Sequence, residues 1–212
     1  MTDPRTSLTR YPQRGSSQRA DLDALLDEEL VATLATVVDG EPWTVPMLFA
    51  RDGDRVVVHG STGAGALRHV AAGAPVTLTV HAVDGIVLAH SAFDSSASYR
   101  SAVLRGTLEP LTGDDATRAL DALTDKVVPG RVAEVRASTP KELAATAVLA
   151  LAIEDGSWLY KARSGGAGAP DEDTDAWYGV VPLRTVADEP VTEPGCAAPV
   201  PASVRDLVAR HQ

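Results

Sequence analysis

The sequence predicts a mainly β fold, an antiparallel β-barrel with helices packed at its periphery. Short β-branched or alternating apolar runs recur along the chain, and Asp-Gly pairs separate many of them, at residues 39–40, 52–53, 84–85 and 155–156. Asp-Gly is a strong signal for a tight hairpin turn. The helical stretches are inserted between groups of these runs, without the regular strand-helix alternation of a parallel sheet.

The first elements are predicted from the spacing of apolar residues and from residues that begin or end helices and strands. Residues 1–16 are polar without an apolar period and are predicted to form an arm outside the core. Ser17 is predicted to cap a helix over residues 18–29, whose leucines share one face. Pro46 cannot donate a ladder hydrogen bond, so its strand is expected at an edge or bulge where backbone is free for a ligand. Strands are predicted at about residues 31–37, 42–51, 55–59, 76–82, 86–90 and 101–111, with a helix over about 64–72.

The second half of the chain carries clearer helix signals. A helix is predicted to begin near Thr112 and Asp114, and Thr139-Pro-Lys-Glu142 has the pattern of a capping box with proline in the first turn. Residues 147–153 and 158–163 are predicted to form a last hairpin, and residues 164–176 an acidic loop. Ser203 is expected to cap a short helix in the tail. The predicted organisation is an arm (1–16), a barrel domain (17–183) and a Pro-rich tail (184–212).

Composition excludes several classes of function. With 212 residues and 44% hydrophobic content, the chain suits one well-packed domain. A net charge of −10 argues against nucleic-acid binding. No apolar stretch is long enough to cross a membrane and no signal peptide is evident, so a cytoplasmic location is expected. Cys196 is the one cysteine, and no spaced His/Cys/Glu motif occurs, so no metal site is predicted. Serine-hydrolase and Rossmann motifs are absent as well.

Two segments carry the functional signal. In residues 90–106, serines surround Tyr99-Arg100-Ser101 in a predicted polar loop that leads into an apolar strand. Hydroxyls and a guanidinium at the entrance of a strand are groups that bind phosphorylated small molecules. In residues 45–61, a strand, a turn and a second strand lead into a Gly/Ser/Thr loop and then a helix, whose N-terminus favours an anion.

These two segments, with Arg14-Gly15, Lys161-x-Arg163 and Trp177-x-Gly179-x-x-Pro182, resemble the flavin-binding split β-barrels related to pyridoxamine 5'-phosphate oxidase. The branch that includes nitroimidazole-resistance reductases is the most similar, and the resemblance covers about residues 10–183. It implies FMN as cofactor, bound in a homodimer at a site shared between subunits. The ring edge would meet the backbone of residues 45–48, and the phosphate would lie near residues 60–68. The implied cofactor-binding residues are Val45, Pro46, Met47, Leu48, His59, Gly60, Ser61, Thr62, Arg68, Tyr99, Arg100, Ser101, Lys161, Arg163 and Trp177.

The chain departs from that family at two places. Where members commonly carry Lys-Lys or Ser-Arg for the phosphate, this chain has Ala64-Gly65-Ala66. Arg68 or Arg100 is expected to supply the missing charge; weaker flavin binding and a different ligand are the alternatives. Asp94-Ser95 replaces a His-His pair of close relatives, so any role of those histidines is absent.

The resulting prediction is an FMN-dependent oxidoreductase that reduces a small organic acceptor with a nicotinamide donor; no catalytic residue is predicted. True pyridoxamine phosphate oxidation is not expected, since Lys161 and Arg163 are the only paired cations left for a second phosphate. Those two cations and Trp177 form either a wall and lid over the flavin or an ordinary surface strand. Two alternatives stay open: heme or a deazaflavin in the same cleft, with His59 or His90 as an iron ligand, and a cofactor-free binding module.

Overall fold

The computed structural model describes residues 7–171 and 173–212 and confirms the mainly antiparallel fold with peripheral helices. The strands are β1 (Gly15–Ser16), β2 (Val31–Val38), β3 (Glu41–Asp52), β4 (Arg55–Ser61), β5 (Pro75–Leu88), β6 (Ser96–Pro110), β7 (Thr146–Ala152), β8 (Trp158–Arg163) and β9 (Gly179–Pro182). The helices are α1 (Arg19–Glu28), α2 (Gly65–Ala71), α3 (Gly113–Val127), α4 (Pro140–Ala145) and α5 (Ala202–Arg210). None of the helices in these ranges is long and apolar enough to cross a membrane.

Six strands close a barrel in the order β6-β7-β4-β3-β2-β5, and β5 pairs again with β6. Strands β8 and β1 extend the sheet beyond β6, and β9 extends it beyond β5. The barrel is split where strands exchange partners. Strand β3 pairs with β2 along residues 41–48 and with β4 only from Phe49 onward. Strand β6 likewise pairs with β5 and β8 first and reaches β7 only at Leu108.

Helix α1 plugs the barrel. Its Leu22, Leu25 and Leu26 are completely buried in the main core, as the leucine spacing predicts. Lys126 of α3 links α1 to strand β3. Its amine lies 3.8 Å from the centre of the Phe49 ring and donates to the Leu26 carbonyl. Burial lowers the pKa of Lys126 to about 8.

Two sequence predictions about the middle of the chain are wrong. Asp84-Gly85 forms no hairpin turn: β5 runs through it with a bulge between Val83 and Gly85. A side chain at Gly85 would approach the Val181 carbonyl of β9 at 3.0 Å, so this glycine permits close pairing of two strands. Strand β6 begins at Ser96, which places Tyr99, Arg100 and Ser101 within a strand and not in a loop.

Three predictions about the ends of elements also fail. Strands β7 and β8 follow each other in sequence but do not form a hairpin, since β7 pairs with β4 and β6, and β8 pairs with β6 and β1. Ser17 is not the cap of α1, whose N-cap is Gln18. Ser203 donates its backbone N–H and hydroxyl to the Glu134 carboxylate and does not cap α5. The capping box at Thr139 and Glu142 is confirmed.

Candidate functional site

The open edge of β3 is the central feature of the site. Strand β4 pairs with β3 only from Phe49 onward and turns away from the earlier residues of β3. Within the described chain, residues 41–48 therefore have β2 as their only partner strand. The Phe49 N–H donates to the Leu30 carbonyl at 3.3 Å. Hydrogen-bonded pairs alternate along an antiparallel ladder, so the backbone groups of Thr44, Pro46 and Leu48 point away from β2, toward the open edge.

Proline fits this edge at no cost to the sheet. Pro46 and Pro42 both occupy outward-facing positions, where a missing N–H breaks no ladder hydrogen bond. The prediction that Pro46 marks a free edge is therefore confirmed. On the other hand, the side chains of Val45 and Met47 pack against the barrel core. Their backbone groups point toward β2, so these two predicted site residues present no hydrogen-bonding group to the open edge.

Leu48 and His59 mark the point where β3 and β4 diverge. Continuing the β3–β4 register past Phe49 and Val58 would place these two residues opposite each other. Both line a cavity of about 410 Å³ between the barrel, α3 and α4, with further walls from apolar residues such as Leu123 and Leu143. The buried Nδ1 of His59 has no hydrogen-bond partner in the part of the chain that the structure describes. An unpaired polar nitrogen at the wall of an apolar cavity is a group that a ligand can satisfy.

The loop after β4 is held in place by Gly60. A Cβ at this position would lie 2.3 Å from Cδ1 of Leu67, which is buried against the strand. The absence of a side chain at Gly60 therefore lets α2 pack onto the end of β4. The loop N–H groups of Thr62 and Ala64 are already bonded to the Ala145 and Ser61 carbonyls.

Arg68 and Arg100, the two candidates for the missing phosphate cation, have different surroundings. Arg68 is exposed on α2 and forms no ion pair with a described residue. Arg100 binds Glu28 at 2.5 Å and Asp84 at 2.7 Å, joining α1 to the sheet. These hydrogen bonds raise the pKa of Arg100, and the guanidinium lowers the pKa of the Glu28 carboxyl. The charge available to a phosphate beside α2 is thus that of Arg68.

The other predicted residues form a second group on β6 and β8. Tyr99 pairs with Arg163 and Ser101 with Lys161, which places all four side chains on one face of the two strands. The Lys161 amine lies 5.6 Å from the centre of the Tyr99 ring. This group pairs with β1 and β5, and not with β3 or β4 of the same protomer. Trp177, 66% exposed, stacks over Gly179 at the start of β9.

One histidine that the sequence reasoning missed lies beside a second cavity. His69 of α2 lines a cavity of about 540 Å³ together with residues from the ends of β2 and β5. Its Nε2 lies 2.8 Å from the Val37 carbonyl oxygen and donates to it, which leaves Nδ1 as the lone-pair nitrogen. His90, which the sequence suggested instead, lines neither cavity. The position of His69 inside an amphipathic helix gave no local signal of a binding role.

A sequence profile described as pyridoxamine 5'-phosphate oxidase matches residues 18–158, most of the barrel. The chain belongs to the pyridoxamine 5'-phosphate oxidase family. Its resemblance to that family, read from short motifs, is thereby confirmed. Among curated protein sequences, none matches this chain.

Solved structures similar to this chain include proteins whose names refer to flavin and heme. The FAD and heme binding protein from Mycobacterium smegmatis is 50% identical, with a TM-score of 0.89 over 92% of this chain and 97% of that one. The flavocytochrome Anf3 from Azotobacter vinelandii is 29% identical, with a TM-score of 0.87 over 96% of each chain. A protein assigned to 5-nitroimidazole antibiotic resistance in Bacteroides thetaiotaomicron shares the fold at 16% identity, with a TM-score of 0.59 over 70% of this chain and 86% of that one.

Proposed function

We propose that this chain is a flavin-dependent oxidoreductase that binds the FMN portion of its cofactor along the open edge of β3. The observation that carries the proposal is the edge itself, where backbone groups of Thr44, Pro46 and Leu48 face outward without a partner strand. The polar edge of a flavin ring needs donors and acceptors of this kind. When bound, the flavin supplies hydride and electron transfer, and the protein holds and orients it.

The phosphate is placed at the beginning of α2. Ala64 has no side-chain oxygen to cap this helix, so its first N–H groups lack a side-chain acceptor. Arg68 extends from the next turn without an ion-pair partner in the described chain. Together they supply an anion with hydrogen-bond donors and one positive charge.

The small organic acceptor is placed in the cavity lined by Leu48 and His59. Its lining combines apolar side chains such as Leu123 with polar ones such as Arg131, so it can hold an acceptor that has both apolar and polar parts. Leu48 belongs to both sites, because its backbone faces the open edge and its side chain lines the cavity. An acceptor bound there would lie next to the flavin. A nicotinamide donor would first reduce the flavin, and the reduced flavin would then reduce the acceptor.

A homodimer completes the proposed site. Exposed apolar side chains lie along the paired strands β5 and β9, including Ile86 at 38%, Val180 at 39% and Val181 at 45% exposure. A second copy covering this surface would bury it, and would let Lys161 and Arg163 of one subunit approach the β3 edge of the other. We expect sedimentation equilibrium to give a dimer at micromolar concentration. A stable monomer would remove the shared site from the proposal.

The phosphate position is tested by replacing Arg68 with alanine. A charge-assisted hydrogen bond to phosphate contributes about 1.5–3 kcal/mol, so FMN affinity should fall by about tenfold or more, measured by fluorescence titration. Arg100→Met is the matched control. It removes an arginine that binds Glu28 and Asp84, and should lower the free energy of unfolding by about 1–2 kcal/mol with FMN affinity unchanged. The reverse pattern would move the phosphate site to Arg100.

Heme is a second candidate cofactor, bound in addition to flavin. It is favoured by the 50% identity to a protein that binds FAD and heme. If heme binds, His69 is the residue that would hold the iron, through Nδ1, because metal-ligating histidines commonly donate their other ring N–H to a backbone carbonyl, here that of Val37. A bound heme would supply one-electron or oxygen chemistry. A colourless protein that binds neither added flavin nor added hemin would instead favour a cofactor-free binding module.

A further inference from the structure

A cluster of four cations lies on the N-terminal arm and on β8, away from the β3 edge. It is called the arm patch and consists of Arg10, Arg14, Lys161 and Arg163. Strand β1 joins the two halves of the cluster, because Gly15 pairs with Lys161 and Ser16 with Tyr160. Lys161 and Arg163 alternate along β8 and therefore share a face. The N-terminal arm thus adds two arginines to a strand that already carries two cations.

Tyr11 holds the two arginines of the arm patch's N-terminal half together. The Arg14 and Arg10 guanidinium carbons lie 4.1 and 4.9 Å from the centre of the Tyr11 ring. A hydrogen bond from Arg10, with the charges of Arg10, Arg14 and Arg163, lowers the pKa of the Tyr11 hydroxyl. Tyr11 adopts a left-handed backbone conformation with φ 56°, which a non-glycine residue rarely does without a structural or functional reason.

The arm patch lacks the carboxylates that accompany other cations of this protein. Within residues 7–171 and 173–212, none of its four members forms an ion pair. Elsewhere in that range seven arginines do: Arg19, Arg51, Arg55, Arg100, Arg118, Arg131 and Arg136. Arg163 donates to the Ala97 carbonyl, which leaves its charge uncompensated. In a chain of net charge −10, four neighbouring cations without a carboxylate partner among the described residues favour an external anion.

We propose that the arm patch binds the phosphates of a dinucleotide. The inference rests on the proposed function, which places the FMN phosphate at Arg68 on α2, a helix that has no strand pairing with β1 or β8. The arm patch then receives phosphates that FMN does not have. These belong to the nicotinamide dinucleotide that reduces the flavin, which carries a diphosphate of its own. The second phosphate of FAD does not qualify, because it is bonded directly to the FMN phosphate and would stay beside α2.

ADP, which has the diphosphate but no flavin, is the probe. We expect calorimetric titration of the full-length protein, with and without FMN, to show ADP binding that weakens as salt rises. Charge reversal at β8, Lys161→Glu with Arg163→Glu, should weaken ADP binding by about tenfold or more. The matched control, Arg184→Glu with Arg210→Glu, makes the same change in net charge at exposed positions of the tail and should leave ADP affinity unchanged.

Competition identifies the source of the diphosphate. Displacement of ADP by NADPH from the FMN-loaded protein assigns the arm patch to the donor. Displacement by FAD from the FMN-free protein without displacement by NADPH, displacement by neither, or equal ADP affinity in the β8 and tail variants overturns the inference. Failure of the proposed function is separate and is seen as the absence of FMN binding in unmodified protein.

Discussion

Replacing Gly60 with alanine is expected to weaken flavin binding by about tenfold, because the helix that carries the phosphate contacts would move. The added Cβ would lie 2.3 Å from Cδ1 of Leu67, whose side chain is 7% exposed and enclosed by the core. Overpacking of this kind typically lowers the free energy of unfolding by about 1–3 kcal/mol. Urea denaturation and FMN titration measure the two effects separately.

Gly106 provides a matched control for the loss of stability. A Cβ there would lie 2.9 Å from Cδ1 of the buried Leu151, a similar conflict on β6. Gly106→Ala should therefore destabilise the barrel while FMN affinity stays unchanged. If Gly60→Ala and Gly106→Ala bind FMN equally well, α2 does not position the phosphate.

Hemin added to the purified protein is expected to give a sharp Soret band, shifted from that of free hemin, and His69→Ala is expected to return the band to the position and width of free hemin. The imidazole lies at a cavity of about 540 Å³, and the Val37 carbonyl holds its Nε2–H, so the ring is oriented before any ligand binds. If His69 held the iron, its replacement would remove the protein's bond to the heme at this cavity, so the change in the spectrum should be near complete.

His59 and His90, the iron ligands that the sequence suggested, provide the control variants. His59→Ala and His90→Ala should keep the shifted Soret band, and His59→Ala should instead alter affinity for a small acceptor in its cavity. A shifted Soret band lost in His59→Ala and kept in His69→Ala would place heme in the cavity beside the β3 edge. Retention of FMN by His69→Ala would show that its α2 helix is still folded.

The fold could be predicted from sequence where local signals agree with tertiary pairing. The Asp-Gly turns at residues 39–40 and 52–53 lie between strands that pair with each other, so turn chemistry and register coincide. At Asp84-Gly85 the same dipeptide lies inside β5, where close approach of β9 decides the structure. Closeness in sequence led to the wrong prediction that β7 and β8 form a hairpin, whereas each of them pairs with β6.

The site was predictable only in part, for a similar reason. Pro46 marks an open edge because proline has one consistent effect on a ladder. Arg100 and Arg68 are indistinguishable in sequence, yet α1 and β5 bring Glu28 and Asp84 to Arg100. Arg68 forms no ion pair with any residue that the structure describes. The pairing of β1 with β8, which brings Arg14 beside Lys161, involves residues far apart in the chain and has no local signature.

The two outward-facing prolines of β3 have a consequence for the protein before its cofactor arrives. A strand edge with unpaired backbone groups is a template on which the strand of another chain can pair, the first step toward aggregation. Pro42 and Pro46 remove two of the N–H groups that such a strand would need. The edge therefore stays open to a small planar molecule, which needs few hydrogen bonds, and is protected against a continuous foreign ladder.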